Sequence, residues 1–212
     1  MTQPYRPRTS SAAAAVAFCL MFMTMVGCGD DKKAPTTTGP AGYTVASDDK
    51  EGFALAVPSE WTRIPLTINP ADFDKNANAL RLANPKLASI LNQARVLGQA
   101  GGKFMAVAPD ATMSVNLTAD KAKEKSVEEI VTASIEVLKS FNATNFAQEQ
   151  STLADKPAIR LVFRLPVDTD AGPVQTDEVQ HYLLEKKTAY IFTVAGAPAN
   201  VSSAIASSFK LR

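Results

Sequence analysis

"AIRLVFRLPV", residues 158–167, and "DEVQHYLLEKKTAYIFTVAG", residues 177–196, lie close together near the end of the chain. In the first, Ile159, Leu161, Phe163 and Leu165 alternate with residues of the other face, among them Arg160 and Arg164. Alternation with a period of two marks a half-buried strand. In the second, two apolar runs flank "EKKT", residues 185–188, which reads as a hairpin turn. Strands joined by short turns pair antiparallel, because a parallel partner needs a long crossover. An antiparallel sheet is therefore the expected centre of the fold.

Working outward from the sheet, "YTVASDDKEGFALAVPSEWTRI", residues 43–64, reads as two short strands around the polar turn "DDKEG". Phe53, Leu55 and Val57 share one face, and Pro58 ends the second strand. Residues 69–102 carry apolar side chains at three- and four-residue spacing, from Phe73, Ala77 and Leu80 to Leu87, Ile90, Leu91, Ala94 and Leu97. That period is helical. Pro85 breaks it, because proline lacks the N–H and disfavours helix before it. Gly98 is the expected stop, followed by a loop through Lys103 that serves as a connector or a lid. "FMAVAP" and "TMSVNLT" read as a strand pair around Pro109 and Asp110. Ser126 with Glu129 forms a capping box. It opens a helix whose stripe is Val127, Ile130, Val131, Ile135, Leu138 and Phe141. Pro198 is expected at the first position of a last helix, with Val201, Ile205 and Phe209 on its buried face. Helices packed on an antiparallel sheet make the class α+β. Residues 43–212 suffice for one domain with a real core.

The chain begins differently. Arg6 and Arg8 precede the apolar run "AAAAVAFCLMFMTMVG", residues 12–27. A basic start, an apolar block and small residues form an export signal. The run is short for a membrane span, which needs roughly 20 apolar residues. "MVGC", residues 25–28, resembles the lipobox of bacterial lipoproteins, with Met25 where leucine is usual. The resemblance implies cleavage between Gly27 and Cys28, and acyl chains on Cys28. Residues 1–27 are then a lipoprotein signal peptide, and residues 28–42 a lipidated cysteine with a polar, Pro-, Gly- and Thr-rich tether. Fourteen tether residues reach at most about 50 Å. Thr36 to Thr38 suit a plain linker better than sugar attachment. The whole chain has 22 basic and 21 acidic side chains. Loss of Arg6 and Arg8 leaves the mature form at a net charge of −1. A nucleic-acid partner wants a basic surface and is not expected. Cys19 leaves with the signal and Cys28 is consumed, so no internal disulfide can form.

Beyond residue 42, the landmarks "FALAVPSEW", "NPKLASILNQA", the two late strand segments and "IASSFKL" resemble the PsbP-like fold, and within it the LpqN-type lipoproteins of actinobacteria. The resemblance spans residues 43–212 and implies an antiparallel sheet with helices on both faces, a PsbP-like α/β/α sandwich. It also implies a non-enzymatic, protein-binding role, and supplies no active site to carry over.

The residues agree with that absence. His181 is the single histidine. Triads and most zinc sites need histidine with partners. Set between Val179 and Leu183, it reads as a packed strand histidine. Asp168 and Asp170 open a weak calcium-loop pattern, but Val179 stands where a bidentate glutamate is needed. No catalytic residue, metal site or cofactor is expected. Trp61 is either a binding-site rim residue or a core plug. Arg160 and Arg164 either meet an anionic partner or pair across strands with Glu178 or Glu185. These three are the candidate partner-binding residues. The expected function is that of a lipoprotein on the extracytoplasmic face of the cell membrane. Its domain would bind another envelope protein, with no deep pocket. The alternative is a carrier of lipid or another apolar ligand, which requires an apolar cavity of about 300 to 1,000 Å³.

Overall fold

The computed structural model describes residues 34–212, except 67, 68, 125, 170 and 171. The expected signal, Gly27, Cys28 and the start of the tether lie outside the described residues, as does Asp170. In chain order the strands are β1 (Tyr43–Asp48), β2 (Phe53–Pro58), β3 (Thr62–Arg63), β4 (Gly102–Val107), β5 (Ser114–Lys121), β6 (Thr144–Leu153), β7 (Lys156–Thr169), β8 (Gly172–Glu185), β9 (Thr188–Ala195) and β10 (Lys210–Leu211). The helices are α1 (Pro70–Ala83), α2 (Ala88–Gln99), α3 (Val127–Ser140) and α4 (Ala199–Ser208). A 3₁₀ turn, Pro85–Leu87, separates α1 from α2 where Pro85 was expected to break the helix.

Strands β3-β4-β5-β9-β8-β7-β6 form a seven-stranded antiparallel sheet, and β1-β2-β10 a small second one. Side-chain parity sorts the large sheet into two faces. Phe104, Leu117, Phe192, His181, Arg160 and Glu149 are cross-strand neighbours along one rung, so all six share a face. Met105, Asn116, Thr193, Gln180, Leu161 and Gln148 form the next rung on the opposite face.

The small sheet and α4 cover the first face. There Phe53, Leu55, Val57 and Trp61 pack with Phe104, Leu117, Phe192, Ile205 and Phe209. Helices α1 to α3 cover the second. Helix α3 lays Ile130, Val131 and Leu138 on Ile159, Leu161, Phe163 and Leu165, while α1 and α2 lay Phe73, Leu91 and Leu97 on Met105 and Val107. Each such fully buried side chain contributes about 1.5–3 kcal/mol. The expected α+β class and the helices on both faces are thus present.

Several local expectations change. Gly98 is buried inside α2, which runs on to Gln99, and the positive φ of 84° falls at Gly101. The connector before β4 is therefore only Ala100 and Gly101. Pro198 is the residue before α4 rather than its first residue, and gives the helix no side-chain cap. Strand β2 is buried on both faces, because Ala54 and Ala56 are covered as well as Phe53 and Leu55. Ser126 Oγ accepts from Glu129 N at 3.2 Å, as the capping box requires. The late tether lies against the domain: Ala34 N–H donates to Asp49 Oδ1 at 2.6 Å, and Thr37 Oγ1 to the Ser208 carbonyl at 2.6 Å.

Candidate functional site

Helix α4 has two unlike faces. Ile205 packs on the phenylalanines of the first core, with Val201 beside it. Its other side carries Ala199, Ser202, Ser203, Ala206 and Ser207, which are too small to close the gap to the sheet. A cleft of about 550 Å³ results. Its floor is Arg160 and His181, its back is Phe209, and its far wall is Ser151, Thr152 and the β6–β7 turn. The helix is clamped at its C-terminus, where Ser208 Oγ donates to the Ile205 carbonyl at 2.7 Å and accepts from Ala56 N at 2.8 Å. Phe209 stacks obliquely on Phe192, with ring centroids 5.2 Å apart.

His181 is 7% exposed and sits edge-on to Phe192 at 6.3 Å. Burial, reinforced by the nearby Arg160 and opposed by Glu149, pushes the imidazole down to about 4. It is therefore neutral at pH 7. Its Nδ1 has no hydrogen-bond partner, and neither has the buried Oγ of Ser151. A buried polar group without a partner costs about 1–3 kcal/mol. Both atoms belong to residues that line the cleft, and each is itself closed off from solvent.

Two ion pairs rim the cleft. Arg160 Nη1 meets Glu149 Oε1 at 2.7 Å, and Lys210 Nζ meets Asp155 Oδ2 at 2.6 Å. In each the cation is the more buried member, with Arg160 34% exposed against 61% for Glu149. Arg160 and Lys210 thus line the cleft with their more buried side chains, together with the more exposed Asp155, while Glu149 lies outside the lining. Among the described residues, no cluster of three His, Cys, Asp or Glu could hold a metal ion.

Of the sequence candidates, Arg160 lines the cleft and the others do not. Arg164 is exposed and pairs with Asp177 at 2.7 Å. The expected pairing of the arginines with Glu178 or Glu185 does not occur. Glu178 opposes Phe163 and so faces α3, and Glu185 binds Lys156 at 3.0 Å. Trp61 is a core plug, 7% exposed in the first core. Ser151, Thr152, Asp155, Lys210 and the serines of α4 were not foreseen. The small residues at positions 199, 202, 203, 206 and 207, spaced by three and four, were the legible signal. The lining mixes hydroxyls and charges with alanines and Phe209, and the gap is open to solvent, so it is not the enclosed apolar cavity that a carrier requires.

No protein-family model matches the chain, and no curated protein matches it in sequence. Among solved structures, the cyanobacterial PsbP (CyanoP) of Synechocystis superposes with a TM-score of 0.52 at 14% identity. The match covers 89% of this chain and 99% of that one. The fold is PsbP-like. Within this PsbP-like architecture the α4 cleft lies on the sheet face shared with the small sheet. LpqN of Mycobacterium tuberculosis, described as involved in cell envelope biogenesis, superposes more loosely. Its TM-score is 0.37 at 7% identity, over 83% of this chain and 82% of that one.

Proposed function

We propose that the chain is a non-catalytic lipoprotein of the cell envelope whose domain binds or scaffolds another envelope protein, with the α4 cleft as the point of recognition. The cleft carries this reading: Arg160, Lys210 and a row of serines line an open gap beside a helix of small residues, with the unpartnered Nδ1 of His181 and Oγ of Ser151 buried in its wall. The single histidine is buried and held neutral, and its Nδ1 has no hydrogen-bond partner that would orient it as a base. The serines and charged rim weigh against the alternative, an apolar carrier.

The anchor rests on "MVGC" after a basic and apolar start. Two or three acyl chains hold a protein stably, since each buried CH₂ contributes about 0.8 kcal/mol. Cys28→Ala is expected to release the protein from the membrane fraction and to remove the mass of the acyl chains. An unchanged fraction and mass would defeat the anchor. For the cleft, Ser203→Trp fills the gap from an exposed helix position. In living cells it is expected to abolish a crosslinked partner seen with the natural protein. A partner that stays crosslinked to Ser203→Trp removes the cleft from the interface.

A further inference from the structure

We propose that the α4 cleft is a carboxylate pocket, which takes one acidic side chain or chain-terminal carboxylate of the partner protein. This rests on the binding role given above and adds the chemistry recognised. Four observations converge. First, the cleft wall holds two buried polar groups without partners, which a small side-chain movement could turn into donors. The hydroxyl of Ser151 is one, and the His181 ring, neutral and nine-tenths buried, offers an N–H at one of its nitrogens. Second, the lining contains two cations, Arg160 and Lys210, and one acid, Asp155. Glu149, outside the lining, balances Arg160 at 2.7 Å, so a guest carboxylate would compete with an exposed side chain for that cation.

Third, neither cation is exhausted by its ion pair. Arg160 gives Nη1 to Glu149 and has further N–H groups in a planar fork that matches a carboxylate. Glu149 lies outside the lining and is largely exposed, so a guest carboxylate can share or replace it. Fourth, hydroxyl-bearing residues stand on both walls, Ser151 on β6 and Ser202, Ser203 and Ser207 on α4. They offer hydroxyls to a charged group, beside the apolar patch of Phe209 and the alanines. The acid that could repel the guest, Asp155, is held by Lys210 at 2.6 Å.

The chain has one histidine, so its ring proton resonances report this cleft alone. The intact chain in detergent micelles is titrated with three probes at pH 7. These are acetyl-aspartate amide, an N-acetylated peptide with uncharged side chains and a free C-terminal carboxylate, and acetyl-asparagine amide. A saturable shift of the His181 signals is expected with one or both acids and none with the amide. Response to the first alone assigns an acidic side chain, and response to the second alone a chain terminus.

Arg160→Gln is expected to weaken binding about tenfold. Arg164→Gln, on the same strand and equally charged, is expected to leave it unchanged. Absence of a saturable shift with either acid overturns the proposal. Equal weakening by the two arginine variants overturns it too, since the attraction would then be bulk charge. Loss of the crosslinked partner in Ser203→Trp cells, with no carboxylate binding, defeats the carboxylate and spares the binding role. A partner unaffected by Ser203→Trp defeats both.

Discussion

Glu178 and His181 stand three residues apart on β8 and point to opposite faces. Both are buried, Glu178 at 6% exposure, and burial moves their titrations in opposite directions. Glu178 is raised to about 7 and His181 lowered to about 4. The folded state keeps the Glu178 proton that the unfolded chain has lost between pH 4.5 and 7. That stability is present at low pH and disappears as pH rises through this window. The folded state refuses the His181 proton that the unfolded chain accepts below pH 6.5. That contribution is present at neutral pH and is lost as pH falls toward 4. Between about pH 4.5 and 6.5 the two slopes oppose each other and flatten the profile. Glu178→Gln should therefore gain about 3 kcal/mol at pH 8 and almost nothing at pH 4.5. Urea denaturation at the two pH values checks it, and an equal effect at both would contradict the buried, protonated carboxyl. Sequence pattern placed His181 correctly in a packed strand. It misplaced Glu178, because pairing parity across β7 and β8 is fixed by a register that composition does not reveal.

Local elements differ in how openly the sequence declares them. The α3 stripe and its Ser126 cap were legible because helix period and capping chemistry are local. Strand β6 was not, since "TNFAQEQSTL" is an edge strand, largely solvent-facing, and lacks the apolar alternation of β7. Its turn into β7 hides too, with Ala154 at φ 52° and Asp155 at φ 60°. The β8–β9 hairpin turns likewise on Lys186 and Lys187, at φ 48° and 68°. Such two-residue turns favour Asn-Gly, since both central residues need positive φ. Replacing Lys186-Lys187 by Asn-Gly is expected to stabilise the domain by about 1 kcal/mol, read from the urea midpoint. Gly196 is the opposite case. Its φ is 70°, and a Cβ there would lie 2.3 Å from the Thr112 carbonyl oxygen. Gly196→Ala should cost more than about 2 kcal/mol and shift the start of α4. Thermal unfolding checks the cost.

At the scale of the molecule, three apolar clusters share one sheet. Neighbouring residues of β4 serve two of them, Phe104 the first and Met105 the third. No cluster can lose its strands without exposing another. Trp61, the only tryptophan, reports the first cluster, while far-UV dichroism averages all helices and strands. The two signals are expected to give coincident urea transitions, and separate midpoints would mean that the helical face melts on its own. The global architecture was legible because antiparallel order and helix count follow from local signals. The cleft was not, because it arises where α4 happens to present small residues to a distant pair of strands. One consequence reaches past the domain. The hydrogen bonds of Ala34 and Thr37 fix the chain to the globule well before β1 begins. With a lipid on Cys28, six residue steps separate the anchor from Ala34, a reach of at most ~20 Å, against ~50 Å for the whole tether. The volume a leash allows scales with the cube of its length. Targets in the same membrane therefore meet the domain at roughly tenfold higher effective concentration. Those standing far above the bilayer are out of its range.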